Sequence, residues 1–223
     1  MKFALITEGV SEYRVVKHIL TRYFKDQDPE INQIQPRIQN EKQETPGGWN
    51  EVLKYCEREE LNDILIENDF LVIQIDTDQS PTEPFGISHS LIGSELKPIG
   101  QLHSEVVQKL KGLIKPEIRE KYENRIVFAI CVHTIECWLL PIYYSNNHKS
   151  DVSNCHYTLN AALTKKNLQG IPKDKNKNSS QSVRTYDTIL SNWKKKTEIE
   201  EAAHHNFGFH QFVESLGQIK VSD

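Results

Sequence analysis

Asp76 and Asp78 stand two residues apart at the end of an apolar run, Phe70 to Ile75. Two carboxylates so close repel each other and call for a compensating charge. A hard divalent cation with oxygen ligands, Mg²⁺ above all, is the usual answer. Three further acids occupy comparable places. Glu8 follows the apolar run Phe3 to Ile6 and precedes Gly9, and Glu12 comes four residues later. Glu136 comes shortly after the run Arg125 to Val132, with His133 one turn before it. Such a set of acids can hold one or two Mg²⁺ or Mn²⁺ ions. These ions stabilise attacking and leaving oxygens in phosphoryl transfer and lower the pKa of bound water. Each acid also has a plainer explanation. Aspartate is a good turn residue, and a carboxylate in the first turn of a helix suits the helix dipole.

Three buried strands must position these acids. Phe70, Leu71, Val72, Ile73 and Ile75 form a near-continuous hydrophobic run, the pattern of an interior parallel strand. Phe3–Ile6 and Arg125–Val132 read the same way. Between them come helical faces: Val16, Ile19, Leu20, Tyr23 and Phe24, then Trp49, Val52, Leu53 and Cys56, then Val106, Val107, Leu110, Leu113 and Ile114. Strands alternating with helices predict an α/β fold with a mainly parallel sheet. Ligands in such folds bind beyond the carboxyl ends of the strands, where Glu8, Asp76, Asp78 and Glu136 would meet. Residues 31–38 predict an edge strand broken by Pro36. Residues 80–100, rich in Pro, Gly and Ser, predict a lid or substrate loop leaving the aspartate pair, where His89, and His103 just past it, could serve as ligands or acid-base groups, although such histidines are more often ordinary surface or loop residues.

The last third is less regular. Lys165, Lys166, Lys173, Lys175 and Lys177 against a single Asp174 predict a basic loop able to grip phosphates. Val183, Tyr186, Ile189, Leu190 and Trp193 predict a helix ending in Lys194–Lys196, and Phe209, Phe212, Val213 and Leu216 a last one stopped by Gly217. The expected division is an α/β core over residues 1–145 and a mainly helical extension over 146–223.

The net charge of −4 over 223 residues gives no global attraction to nucleic acid, so any contact would use local patches. Met1 to Leu5 contains no signal-like apolar region and no run approaches a bilayer span, so a soluble, cytoplasmic protein is expected. The cysteines Cys56, Cys131, Cys137 and Cys155 form no Cys-x-x-Cys pair. Cys56 and Cys131 read as reduced core thiols.

The order of motifs resembles the Toprim domain shared by topoisomerases, bacterial primases and OLD-type nucleases. That family places a Glu after its first strand and a D-x-D after a later one, as in I-T-E-G at Ile6–Gly9 and I-D-T-D at Ile75–Asp78. Glu12 completes an E-G-x-S-E variant of the OLD-like members. Gly48-Trp49, the segment Glu136–Leu140 and the pair Phe209 and Phe212 resemble features of small RloB-like Toprim proteins of antiphage systems. The resemblance implies a Toprim-like, Rossmann-like sheet with a helical C-terminal extension and a divalent-metal-dependent nuclease acting on DNA or RNA. In it, Glu8, Asp76 and Asp78 would be catalytic. Glu8, Glu12, Asp76, Asp78 and Glu136 would ligate Mg²⁺ or Mn²⁺. It implies a role as toxic effector in phage defence beside an ABC-type ATPase partner, and leaves a homo-oligomer open. Three readings compete: a non-catalytic regulatory or binding module, a phosphatase of the haloacid dehalogenase type, and a D-x-D glycosyltransferase.

Overall fold

The computed structural model describes residues 1–39, 42–91, 95–172 and 180–220. The chain is α/β. Four strands, β1 (Lys2–Ile6), β2 (Glu30–Gln35), β5 (Phe70–Asp76) and β6 (Ile126–Cys131), form one sheet in the order β2-β1-β5-β6. All three neighbouring pairs are parallel. A small antiparallel pair, β3 (Ile38–Gln39) and β4 (Lys42–Gln43), stands apart. β2 is an edge strand that ends just before Pro36, where the missing N–H could not have joined a ladder.

Helix α1 (Val10–Tyr23) leads from β1 to β2. Helices α2 (Trp49–Cys56) and α3 (Leu61–Glu67) then lead to β5, on the other side of β1. The chain therefore reverses its direction of winding between β1 and β5. Beyond the carboxyl ends of two such strands a crevice opens, the usual ligand position in open α/β sheets. Glu8 and Asp76 stand at that place.

Side chains alternate across the sheet and divide the core in two. Ala4, Ile6, Leu71, Ile73, Ile75 and Ile130 pack under α2, α3, α4 (Ile99–Leu113) and α5 (Pro116–Lys121). Phe3, Leu5, Val72, Val127, Ala129 and Cys131 pack on the opposite face. That face is covered by α1 and by helices after residue 135: α6 (Glu136–Leu139), α7 (Cys155–Lys165), α8 (Ser180–Leu190), α9 (Lys196–Ala203) and α10 (Phe207–Gly217). The C-terminal helices thus share one continuous core with the sheet. Helix α10 lies against β6, because Gly208 brings it so near that a Cβ there would stand 2.2 Å from the Ile130 carbonyl oxygen. Trp138 stacks on Phe209 with ring centroids 4.7 Å apart and locks α6 to α10.

Two C-terminal elements differ from the sequence expectation. Residues 155–165 form a full helix burying Cys155, Leu159, Ala162 and Leu163, so Lys165 closes a helix rather than opening a loop. The Lys194–Lys196 run starts α9 rather than ending α8, which stops at Leu190. Cys137 and Cys155 form a disulfide between α6 and α7. Cys56 and Cys131 are free, buried thiols. Within residues 80–91, Phe85 and Ile87 are buried and Ser80 Oγ donates to the Ile87 carbonyl at 2.8 Å, so this part of the loop is packed down. No helix among the described residues is long and apolar enough to cross a membrane.

Candidate active site

The end of β1 is fixed by backbone bonds. Thr7 N–H donates to the Gln35 carbonyl at 2.8 Å, and Thr7 Oγ1 donates to the Gly9 carbonyl at 3.0 Å. Glu8 is held from three sides. Its carbonyl accepts from Gly48 N–H at 2.7 Å. Gly47 must be glycine for this approach, since a Cβ there would lie 2.4 Å from the Glu8 carbonyl oxygen. Its N–H donates to Gln74 Oε1 at 3.1 Å, and its carboxylate Oε1 accepts from the Asp76 N–H at 2.6 Å. The Glu8 side chain thus caps the end of β5.

Gln74 is the keystone of this arrangement. It lies two residues before Asp76 in a strand, so both point to the same face. It is fully buried. Its Nε2 donates to Asp76 Oδ1 at 2.9 Å and contacts Cys131 Sγ at 3.7 Å. One amide therefore ties together the ends of β1, β5 and β6.

Glu12, Asp76 and Glu136 are almost wholly withdrawn from solvent, with exposures of 4%, 4% and 0%. Glu8 is half-buried. Glu136 opens α6, and its Oε1 accepts from the Tyr186 hydroxyl, reaching in from α8, at 2.7 Å. The Tyr186 phenol is pushed well above its ordinary pKa, first by burial and then by the charges of Glu136, Glu12 and Asp76. Burial, then the charge of Asp76, with a smaller push from Glu8, raises the Cys131 thiol in the same way. Glu8, Glu12, Asp76 and Glu136 therefore share one electrostatic neighbourhood, Glu12 reaching it from the first turn of α1.

Asp78 parts from this group. The strand ends at Asp76, and Thr77 turns the chain, donating its N–H to the carbonyls of Cys131 and His133, each at 3.0 Å. Asp78 is exposed beside His133, whose carbonyl accepts its N–H at 3.1 Å. His133 has φ +62°, a left-handed conformation uncommon outside glycine, and its N–H donates to Thr77 Oγ1 at 2.8 Å. His89 Nε2 donates to the Thr77 carbonyl at 2.7 Å, since a carbonyl oxygen can only accept. The two imidazole rings meet edge to face, 5.1 Å apart. Burial, then the neighbouring His89, lowers the pKa of His133, against the opposing pull of Asp78. The D-x-D motif thus serves two places, an inner carboxylate cluster and an outer histidine rim.

The donor set of the inner cluster is anionic and all oxygen, which suits Mg²⁺ or Mn²⁺. Glu8, Asp76 and Glu136 each commit at least one oxygen to a protein hydrogen bond. No set of three His, Cys, Asp or Glu side chains among the described residues is gathered tightly enough to hold a metal ion. The chemistry of the donors therefore fits a hard cation, while their spacing is set by hydrogen bonds within the protein. Of the lysines read as a phosphate grip, Lys165 and Lys166 are exposed at the end of α7, with Lys166 Nζ 5.8 Å from the Tyr143 ring centroid. Lys173, Lys175 and Lys177 lie outside the described residues.

No protein-family model, curated protein or solved structure matches the chain. The Toprim resemblance accordingly rests on the motif residues themselves.

Two members of the cluster escaped the sequence reading. Gln74 had a signal: it is a polar residue inside an otherwise apolar strand, in phase with Asp76. Tyr186 had none, because at its position in an apolar helix face a tyrosine reads as core.

Proposed function

We propose that the chain is a divalent-metal-dependent nuclease that hydrolyses phosphodiester bonds of DNA or RNA. The observation that carries this reading is the burial of Glu12, Asp76 and Glu136 around one tyrosine, beside Glu8, at the crevice between β1 and β5. Carboxylates gathered at one crevice offer the oxygen donors that a hard divalent cation takes. The Toprim resemblance implies Glu8, Glu12, Asp76 and Glu136 as ligands of Mg²⁺ or Mn²⁺, with Asp78 at the outer edge; to hold the ion they would have to draw closer than the hydrogen bonds of the protein now set them. When bound, the ion would supply stabilisation of charge on the phosphoryl oxygens and a more acidic water.

The chain's own residues would do the rest. Gln74 fixes the Asp76 carboxylate and the backbone of Glu8. Tyr186 fixes Glu136. His133, kept neutral near pH 7 by burial, would accept a proton at the rim, and Asp78 would stabilise the imidazolium that forms. The Toprim resemblance adds a phage-defence role and an ATPase partner to this proposal.

The test is a gel assay on plasmid, single-stranded DNA and total RNA with Mg²⁺, Mn²⁺ or EDTA. Metal-dependent cutting by wild type, lost in Asp76→Asn, is the expected result. Cutting of equal rate in Asp76→Asn, or with EDTA, would overturn it. A second reading, a non-catalytic binding module, draws on the commitment of Glu8, Asp76 and Glu136 oxygens to protein hydrogen bonds. Nucleic-acid binding without cutting under any metal would favour it.

A further inference from the structure

Helix α1 begins at the acid cluster and carries a line of basic side chains away from it, cationic at Arg14, Lys17 and Arg22, while burial lowers the pKa of His18. Arg14, Lys17, His18 and Arg22 fall at spacings of three and four, so they share one helix face. With Tyr13 and Asp187 they line a groove of about 290 Å³ between α1 and α8. Asp187 is the only carboxylate among its lining residues and forms a two-pronged pair with Arg14 Nη1, at 2.9 Å to each oxygen. Lys17 is exposed, and its ammonium sits 5.6 Å from the centre of the Tyr13 ring. The Nε atoms of Arg14 and Arg22 are buried, with no hydrogen-bond partner among the described residues. His18 Nε2 donates to the Trp193 carbonyl at 2.8 Å, where the chain enters the Lys194–Lys196 run.

The same two helices supply the inner site. Glu12, on α1, and Tyr186, on α8, turn into the carboxylate cluster, while Arg14 and Asp187, their near neighbours in sequence, turn into the groove. From Arg14 to Arg22 the helix rises roughly 12 Å at about 1.5 Å per residue. Arg14, Lys17 and Arg22 are thus about one helical turn apart, a spacing comparable with that of successive phosphates on one strand. Guanidinium and ammonium groups suit phosphate oxygens, and a tyrosine face suits an unpaired base.

We propose that the α1–α8 groove binds the sugar–phosphate backbone of a single nucleic-acid strand and leads it to the carboxylate cluster. This rests on the nuclease reading for its direction, but not for the binding itself. The groove would serve where the overall negative charge of the chain cannot.

The test is fluorescence anisotropy with a labelled single-stranded oligonucleotide in EDTA, which prevents cutting, over a range of salt. Removing two phosphate contacts with Lys17→Gln and Arg22→Gln should make the slope of log K against log salt shallower by roughly 1.4, which at 0.1 M salt is about 25-fold in affinity. Lys17→Arg with Arg22→Lys should restore the slope. A wild-type thermal midpoint in both double variants establishes that the fold is kept. Wild-type slope and affinity in the glutamine variant would overturn the proposal. So would wild-type protein that ignores the oligonucleotide and instead binds anionic phospholipid vesicles. Asp76→Asn separates this from the nuclease reading, because it should lose cutting while keeping the full salt slope. Altered slope with no cutting by wild type would leave the groove standing and the nuclease reading refuted.

Discussion

Replacing Tyr186 with phenylalanine deletes one hydroxyl from the centre of the molecule and leaves the ring in place. Both Tyr186 and Glu136 are fully buried, and the hydroxyl donates to the carboxylate at 2.7 Å. A hydrogen bond to a charged group contributes about 1.5–3 kcal/mol. No cavity beyond one oxygen is made, so the expected loss of stability is about 2 kcal/mol. For a domain of this size each kcal/mol moves the thermal midpoint by about 2–4 °C, giving a fall of roughly 4–8 °C. The difference should depend on pH in one direction. Because the Tyr186 pKa is raised in the folded state, its contribution is complete below about pH 10, the unfolded value, and drains away above it. Phenylalanine has no such drain, so the gap between wild type and variant should narrow as pH climbs past 10. Urea unfolding of Tyr186→Phe, Glu136→Gln and the double variant completes the measurement. Charge-assisted bonds are about twice as strong as neutral ones, so the cycle should show coupling of about 1 kcal/mol. An unchanged midpoint in Tyr186→Phe, or independent effects in the cycle, would refute the buried tyrosine–carboxylate pair as a keystone of the site.

Gln74→Leu should abolish cutting and cost about 2 kcal/mol, because it strips a donor from Asp76 and an acceptor from the Glu8 N–H; retained cutting, by the same gel assay, would show that Gln74 does not position them. If neutral His133 accepts the proton, the acid limb of the pH–rate profile should lie below the usual histidine value of about 6.5, and His133→Gln should remove that limb. Reducing Cys137–Cys155, which closes a loop of sequence separation 18, should cost about 3 kcal/mol. Thermal unfolding with and without reductant measures it, and Cys137→Ser with Cys155→Ser should melt like the reduced protein.

The frame of the site could be read ahead of the structure because buried parallel strands leave an unmistakable trace. β1, β5 and β6 are covered on both faces, so Phe3–Ile6, Phe70–Ile75 and Ile126–Cys131 lack polar interruptions, save for Gln74. An acid just past such a run has few places to go but the rim, which is why Glu8, Asp76 and Glu136 were legible. What was not legible depends on contacts remote in sequence. Tyr186 meets Glu136 across 50 residues. The Cys137–Cys155 pair depends on how α7 docks, and α7 itself is diluted by Thr158, Asn160 and Thr164 on a short helix. Asp78 and Asp76 look equivalent as letters. Only the turn at Thr77 separates one into the interior and the other onto the surface.

The docking of α10 on β6 has a consequence for the chain as it is made. One face of the sheet, with Val127, Ala129 and Cys131, is finished only by helices that run to Gly217. Synthesis at about 5–20 residues per second takes roughly 4–17 s to cover the roughly 85 residues between Cys131 and Gly217. Throughout that interval one face of the strands has only part of its cover, chiefly α1, and Tyr186 arrives only late in it. The carboxylate cluster is therefore among the last parts of the molecule to be completed. A polypeptide still attached to the ribosome contains Glu8 and Asp76 but not yet the surroundings that make them a site.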